Sequence, residues 1–397
     1  MNYRILILAL GTFVIGTDDF VIAGILPAIA NDLNVSVAAA GQLVTAFSLA
    51  YALGAPVLGT LTNNLPRKKL LLVSILIFSI ANALSVIVPS YGWLFVTRII
   101  AALAAALFTP VAMAVASNLA SPSTRGKALS FITAGLTVGI VLGVPIGTWI
   151  GTLLGWRMTF LMVATVGLIT FIGVAWILPK IENTPDVPLK ERLSALDSRV
   201  ILTMCISVFG GAGGFMVYTY ISPILQHITN VDAAMIGWFL VLLGIGSIIG
   251  NLIGGYSTDR WGANKTLTGA LSTFAVLLVG FSLLMLLEGS WLTTIFAAIA
   301  CILWGFAGWA FNPALNTYLI SLKPYQASMI MSFSTSTMYL GIALAGFVGG
   351  LVINIGSITH IGWIGGVFAG VALFIFFVVQ QISVKLITKE KEQLRES

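Results

Sequence analysis

Twelve apolar runs, each long enough to cross a bilayer and separated by short polar breaks, leave this chain few possible folds. A crossing of about 30 Å of hydrocarbon takes about 20 residues of helix. The runs fall near residues 5–30, 38–62, 69–89, 92–117, 127–153, 157–179, 200–225, 233–256, 265–287, 291–320, 325–353 and 360–387. Hydrocarbon offers no partner to a peptide N–H or C=O, so each run must satisfy its own backbone as a helix. Composition agrees: 58% of the 397 residues are hydrophobic and 8% charged, against roughly 25% charged in a soluble domain. The expected class is an all-α membrane protein.

The net charge of +6 is not a nucleic-acid signal, because the positions of the basic residues follow the membrane. With the amino terminus cytoplasmic, every Lys and Arg except Arg98 and Arg157 lies on the cytoplasmic side. Arg67, Lys68 and Lys69 share one loop, Arg125 and Lys127 the next, and Lys180, Lys190, Arg192 and Arg199 the longest. The positive-inside rule then predicts both termini in the cytoplasm. The first run is longer than a signal-peptide core and has no clear small-residue cleavage site, so it is expected to stay as helix 1. Cys205 and Cys301 both fall in apolar runs and read as packing residues.

The stretch 181–199 is the one long polar interruption, with Pro185 and Pro188 inside it. It predicts a six-helix unit over 1–180, a cytoplasmic linker over 181–199, a second unit over 200–387 and a cytoplasmic tail over 388–397. The two units repeat. Pro27, Gly41, Gly54 and Gly59 recur 196 positions later as Pro223, Gly237, Gly250 and Gly255, and Gly139 and Gly147 recur 202 positions later as Gly341 and Gly349. Parallel repeats about an axis along the membrane normal, with a site between them, are a known transporter architecture. Two six-helix bundles around a central cavity is the fold this predicts.

Within the first run, Asp18 and Asp19 are the only charges between Ile5 and Ala30. A charge near the middle of a membrane helix costs about 2.5–3.5 kcal/mol on insertion scales, so these two residues are functional candidates. Neighbours on a helix diverge by about 100° and face different ways. Arg98, in the fourth run, lies at a depth similar to Asp19, each about 9 Å from the outer surface at 1.5 Å per residue. The fifth run carries Gly135, Gly139, Gly143, Gly147, Gly151 and Gly155 at strict four-residue spacing. That ridge spans roughly 30 Å and permits close approach of another helix. Pro145 removes a backbone hydrogen bond in mid-run and predicts a bend there.

Gly139, Gly143, Pro145 and Gly147 resemble the helix 5 signature of drug/proton antiporters of the major facilitator superfamily, a motif associated with export. The resemblance implies that this ridge seals the two bundles against each other on one side. Gly341 and Gly349 lack the proline, with Phe347 in its place. Gly255, Asp259, Arg260 and Gly262, followed by Lys265, resemble the superfamily's cytoplasmic loop signature between helices 8 and 9, which implies a latch that opens as the bundles rock. Its first-half copy is degraded: Gly59, Arg67 and Lys68 are present, but Asn63 and Asn64 replace the Asp and the base, and Pro66 replaces the glycine. Arg98, followed by Ala102, Ala105 and Ala106, is similar to the family's helix 4 motif. The segment from Gly16 to Phe20 is similar to helix 1 of a subgroup exporting sugars, purine nucleosides and drugs, and places the family's acid at Asp19, with Asp18 an extra one. Gly41-Gln42-Leu43, Gly155-Trp156-Arg157, Trp304-Gly305 and Asn312-Pro313-Ala314 extend the resemblance over most of the chain.

The expected function is therefore a proton-coupled exporter of small amphipathic molecules, drugs or antibiotics, working by alternating access in the plasma membrane. Export of sugars or purine nucleosides, or facilitated transport without protons, are the alternatives. Asp19 is favoured over Asp18 as the proton carrier, with Arg98 as its electrostatic partner. Phe47, Tyr51, Tyr218, Trp304 and Tyr339 are candidate cavity aromatics. Asn312 and Asn316 share a helix face and either bind substrate or bond across helices. Arg157 reads as an interfacial anchor. Protons are the expected coupling ion, with no other cofactor or metal, and the chain is expected to work as a monomer. No Gly-rich phosphate loop with a Lys-Ser/Thr ending is present, which argues against an ATP motor. His227 and His360, expected in separate outer loops, form no catalytic constellation, so an enzyme is not expected.

Overall fold

The computed structural model describes residues 3–62, 64–121, 124–179, 181, 197–229, 231–287 and 289–396, and among them every regular element is helical. Twelve helices are long and apolar enough to cross a membrane. We number them α1 (Tyr3–Asp32), α2 (Val37–Leu61), α3 (Arg67–Ile87), α4 (Tyr91–Leu119), α5 (Arg125–Leu153), α6 (Trp156–Ile177), α7 (Ser198–Thr219), α8 (Ala233–Trp261), α9 (Ala263–Leu284), α10 (Trp291–Leu322), α11 (Ala327–Ile355) and α12 (Ile361–Glu396). Most of the linker expected between the units, and Asn63, lie outside the described residues.

Local chemistry sets the helix ends. The hydroxyl of Ser36 accepts the N–H of Ala39 at the start of α2, and Ser290 and Thr293 form a reciprocal capping box at the start of α10, each satisfying donors the helix leaves open. Two boundaries differ from expectation. The seventh run breaks at Tyr220, and a short helix, Ile221–Thr229, follows. Pro223 has no N–H for the Thr219 carbonyl four residues back, so the helix cannot run through it unbroken, and His227 consequently sits in that short helix and not in a loop. The eighth helix, by contrast, runs to Trp261, so Asp259 and Arg260 are helical. The connection to α9 is Gly262 alone, at φ 88°, a backbone geometry that favours glycine.

The packing repeats with a shift of six helices. In the first half α1 packs on α5 and α6, α2 on α4, α3 on α4 and α6; in the second, α7 packs on α11 and α12, α8 on α10, α9 on α10 and α12. The glycine repeat belongs to this symmetry. A Cβ on Gly139 would lie 2.3 Å from the Phe13 carbonyl of α1, and one on its counterpart Gly341 would lie 2.6 Å from the Val208 carbonyl of α7. The halves meet along two seams, α2 with α11 and α5 with α8, and also at α1, which touches α7 and the short helix Ile221–Thr229.

Those seams are unequal along their length. On the side that carries Asp32, Gln42 Nε2 of α2 donates to the Gly346 carbonyl of α11 (3.1 Å), and Trp149 Nε1 of α5 donates to the Ala234 carbonyl of α8 (3.1 Å). A Cβ on Gly41 would strike the Tyr220 hydroxyl, and one on Gly346 would strike Thr45. On the side that carries Gly262, a Cβ added to Gly59 or Gly255 would meet nothing within 4 Å, and Asp259 and Arg260 are exposed. Arg157, expected as an interfacial anchor beside Trp156, also acts as a clamp: it pairs with Asp32 and donates to the Val88 carbonyl, while Trp156 Nε1 donates to the same Asp32 carboxylate. It fastens the ends of α1 and α6 and the residue after α3.

Candidate functional site

The orientation of α1 is fixed by what lies beneath it. The glycines of α5 form the floor: a Cβ at Gly135, Gly143, Gly147 or Gly151 would fall within 2.6 Å of Thr12, Thr17, Val21 or Ile25 respectively. Thr17 Oγ1 donates to the Phe13 carbonyl (2.9 Å) and approaches that of Gly139 (3.4 Å), and Thr12 Oγ1 donates to the Ile132 carbonyl (2.8 Å). This corrects the expectation that the ridge seals one bundle against the other. It seats α5 on α1 inside the first half, and the contact with α8 is made from α5 by Val141 and Trp149, against Gly244 and Gly237. The bend expected at Pro145 takes the form of a π-helical turn, Gly139–Gly143, in which Val144 N–H reaches back to the Gly139 carbonyl.

With Thr17 pinned to α5, the next two residues are turned to different neighbours, since each step rotates the helix by about 100°. Asp18 faces the interior of the first half. Its Oδ1 accepts from Arg98 Nη1 of α4 (2.7 Å), and its Oδ2 accepts from Asn82 Nδ2 of α3 (3.5 Å). Asn82 Oδ1 in turn accepts from Arg98 Nη2 (2.7 Å), Ser85 Oγ lies 3.4 Å from the same nitrogen, and the guanidinium sits 4.5 Å from the Phe160 ring centre. Asp18 and Arg98 are both completely buried. A buried ion pair persists where hydrogen bonds satisfy the remaining groups, and Asn82 bridges both partners here.

Asp19 faces the other half. Its Oδ2 accepts from the Tyr339 hydroxyl of α11 (2.8 Å), while its Oδ1 is buried and has no hydrogen-bond partner among the described residues. The Tyr339 ring stacks on Tyr51 of α2 with centroids 3.8 Å apart. Similar depth pairs Arg98 with Asp19, but the guanidinium is bonded to Asp18. A rise of 1.5 Å per residue cannot separate neighbours that differ by rotation and not by height.

Beyond Asp19 lies a band of rings. Phe20 of α1 stacks on Phe215 (5.5 Å) and meets Tyr218 edge-on (5.7 Å), and Tyr218 stacks on Trp304 of α10 (5.6 Å). Tyr218 also donates to the Phe20 carbonyl (3.4 Å). Tyr51 and Tyr339 thus pair with each other, and Tyr218 with Trp304; these four and Phe47 are all buried, and Phe47 has no place in either ring pair. Asn312 lines a cavity beside Trp304. Asn316, four residues on, accepts from Ser334 of α11 (3.4 Å), so of the two readings open for it the cross-helix bond is the one seen. Arg67 is buried, and Arg260 donates to Tyr256 on its own helix (2.9 Å).

Asn82, Ser85 and Thr17 complete the site and lie outside the residues expected to form it. Asn82 carried a usable signal, a lone amide in the middle of the apolar run of α3, and Ser85 lies three residues further on.

A profile of the Major Facilitator Superfamily matches residues 8–327 and 203–396. Escherichia coli (strain K12) inner membrane transport protein YdhP is 34% identical over 379 residues, covering 95% of this chain and 96% of the relative. A Streptomyces lividans chloramphenicol resistance protein is 32% identical over 391 residues, covering 95% and 96%. Among solved structures, the nucleoside transporter NupG superposes with a TM-score of 0.77 at 15% identity over 95% of this chain and 99% of that one. A D-xylose-proton symporter superposes with a TM-score of 0.75 at 16% identity over 94% and 96%.

Proposed function

The chain belongs to the Major Facilitator Superfamily, and from that premise we propose that it is a proton-coupled exporter of small molecules in which Asp19 carries the proton. One observation carries this reading. Asp19 is a buried carboxylate that bonds to the opposite half through Tyr339 and has, among the described residues, no paired cation and no hydrogen-bond partner for its second oxygen. Taking up a proton there removes the charge that Tyr339 holds, so protonation and the seam between the halves are linked through one hydrogen bond. Asp18 cannot serve in the same way without breaking its pairing with Arg98, and we assign it a structural role.

The Gly262 side is the cytoplasmic side in this reading, by the placement of the basic residues, and the protein is then open inward. In this reading the latch residues Gly255, Asp259, Arg260, Gly262 and Gly59 stand released, Arg67 being buried, and closing the inner side would bring the ends of α2 and α8 toward the opposite half. Alternating access about the Asp19 to Tyr339 bond follows. Export is favoured over uptake by the helix 5 signature and by the Streptomyces lividans relative. The membrane is the plasma membrane, with both termini cytoplasmic.

The test is transport in proteoliposomes with an imposed pH gradient, with chloramphenicol, a pentose and a purine nucleoside as separate probes. The reading expects gradient-dependent movement of at least one probe against proton flow, abolished in Asp19→Asn. Gradient-driven export that survives intact in Asp19→Asn removes Asp19 from the mechanism. Movement that ignores the gradient makes the protein a facilitator.

A further inference from the structure

Buried hydroxyls in these helices commonly bond back to their own turn, as Ser74, Ser79, Ser85 and Thr148 do to the carbonyl four residues before. A helical serine or threonine has that acceptor in reach wherever it sits, so a buried hydroxyl that does not take it is free to bind something else. Helix α2 carries both kinds. Thr60 donates to the Pro56 carbonyl (2.8 Å), whereas Thr45 Oγ1 and Ser48 Oγ are buried and have no hydrogen-bond partner among the described residues.

These two hydroxyls are the middle members of a polar line. Gln42, Thr45, Ser48 and Tyr51 follow one another at three-residue spacing, and side chains so spaced are neighbours on a helix, with Cβ atoms about 5–6 Å apart. The line begins at the outer end of the α2–α11 seam. There the Gly346 carbonyl accepts from Gln42 Nε2 (3.1 Å) and from the Tyr220 hydroxyl (2.9 Å), and a Cβ on Gly346 would lie 2.5 Å from Thr45 Oγ1. It ends about 13.5 Å deeper, at 1.5 Å per residue, beside the proton carrier. Tyr51 stacks on Tyr339, whose hydroxyl holds Asp19 Oδ2, and Asp19 Oδ1 is a third buried oxygen without a partner among the described residues. Helix spacing puts Ala343 and Gly346 on the Tyr339 face of α11, so that face is small between the two ends. Two O–H···O bonds through one water reach about 5.5 Å, which matches the spacing of successive members. The titratable groups that face Asp19 are Tyr51, Tyr218 and Tyr339 from α2, α7 and α11, and Asp18 on its own helix, already paired with Arg98 of α4.

We propose that Gln42, Thr45, Ser48 and Tyr51 line the path by which protons reach Asp19 from the outer side, a chain of hydroxyls joined by single waters and closed at its mouth by the Gly346 carbonyl. At each step a hydroxyl oxygen takes a proton from the water before it and releases its own to the water after it. One proton thus arrives at Asp19 Oδ1, and the chain is left unchanged apart from the turn of its O–H bonds. While Gln42 and Tyr220 hold Gly346 the mouth is shut. Loosening of the α2–α11 seam frees the Gln42 amide and admits protons before the seam is wide enough for a substrate. The path rests on the reading of Asp19 as the proton carrier and adds the route and its gate.

The experiment is an acid jump on proteoliposomes of uniform orientation, following the C=O stretch of protonated Asp19 in the infrared. Acid is delivered to the outer face or, in vesicles of opposite orientation, to the cytoplasmic face. Thr45→Val combined with Ser48→Ala removes both hydroxyls with little change of volume. It is expected to slow the rise of the band after an outer jump at least about tenfold, as loss of groups that pass a proton does. The rise after a cytoplasmic jump, the final band height at each pH and the thermal midpoint are expected to stay close to those of the unsubstituted protein. Thr45→Ser, which keeps the hydroxyl, is expected to keep the fast rise. Gln42→Ala, which opens the mouth, is expected to speed it, and that gain is expected to vanish when the double substitution is added. An outer-side rate that the double substitution leaves unchanged in the Gln42→Ala protein overturns the path and leaves Asp19 as carrier. Equal slowing from both faces also overturns it, as a general effect on structure. An unsubstituted protein with no titrating Asp19 band removes both the path and the carrier.

Discussion

Asp18 and Asp19 are consecutive residues in one helix, equally hidden from water, and their surroundings have almost nothing in common. On the Asp18 side both carboxylate oxygens are engaged, by a guanidinium and by an amide that bridges both charges, with a serine and an aromatic ring beside them, all from α3, α4 and α6 of the same half; Arg98 Nε alone is left without a partner among the described residues. The Asp19 side is unfinished: one tyrosine from the opposite half and an oxygen with no partner among the described residues. The difference teaches that burial alone does not mark a working carboxylate in a membrane helix. What separates the two is whether the partner belongs to the same rigid unit, because only a bond between units is made and broken when they move.

The comparison breaks most visibly at Arg98. Arg98→Met leaves Asp18 buried without its cation, and loss of one member of a buried pair costs about 3–5 kcal/mol. The expected result is a large fall in thermal midpoint in detergent, mostly recovered when Asp18→Leu is added. Asp19→Asn is expected to leave the midpoint nearly unchanged, and a comparable fall there would erase the distinction.

Rotation of α1 is the next point of attack. Gly139→Ala puts a methyl group 2.3 Å from the Phe13 carbonyl, and overpacking of this kind costs about 1–3 kcal/mol. Because the same contact sets where Asp18 and Asp19 face, transport is expected to fall with stability. Gly255→Ala, which lies in a helix and meets nothing within 4 Å, is the control and is expected to be neutral or stabilising by up to about 1 kcal/mol.

A gentler test is Tyr339→Phe. It keeps the stack on Tyr51 and removes only the hydroxyl bonded to Asp19, a bond of about 1–2 kcal/mol. Unfolding should move little, while the pH dependence of transport should shift. An unchanged profile would mean that Tyr339 does not report the state of Asp19.

The smallest effect belongs to a carboxylate outside the membrane, which serves as a reference for both. Burial pushes the Asp197 carboxyl up, but the Val200 N–H that it accepts, with Lys323 at 3.5 Å and Arg199 at 3.6 Å, outweighs this and holds it below the usual range. A folded value below the unfolded one gives stability that is present above the ordinary aspartate range and lost as pH falls through the lowered value. Asp197→Asn is therefore expected to flatten the acid limb of the stability profile by a fraction of a kcal/mol, as for other partly exposed pairs.

The twelve spans, the twofold repeat and the importance of the Asp pair were legible because each rests on composition or on spacing along one helix. Assignments between helices were not. The match of Arg98 to Asp19 failed because depth is readable from helix rise whereas facing depends on Thr17 seated over Gly143, a contact between α1 and α5. The α5 ridge was visible as a ridge, but the sequence does not say which neighbour fills it, and that neighbour proved to be α1. The end of α8 was misjudged because Asp259 and Arg260 look like a loop by polarity, although the chain needs only Gly262 to turn.

The central claim, that Asp19 exchanges a proton while Asp18 stays charged, is tested most directly by infrared difference spectroscopy across a pH titration of the protein in lipid, following the C=O stretch of protonated carboxyl groups. The account predicts a titrating band from a buried carboxyl that disappears in Asp19→Asn and persists in Asp18→Asn. A band that survives Asp19→Asn and vanishes in Asp18→Asn would contradict it.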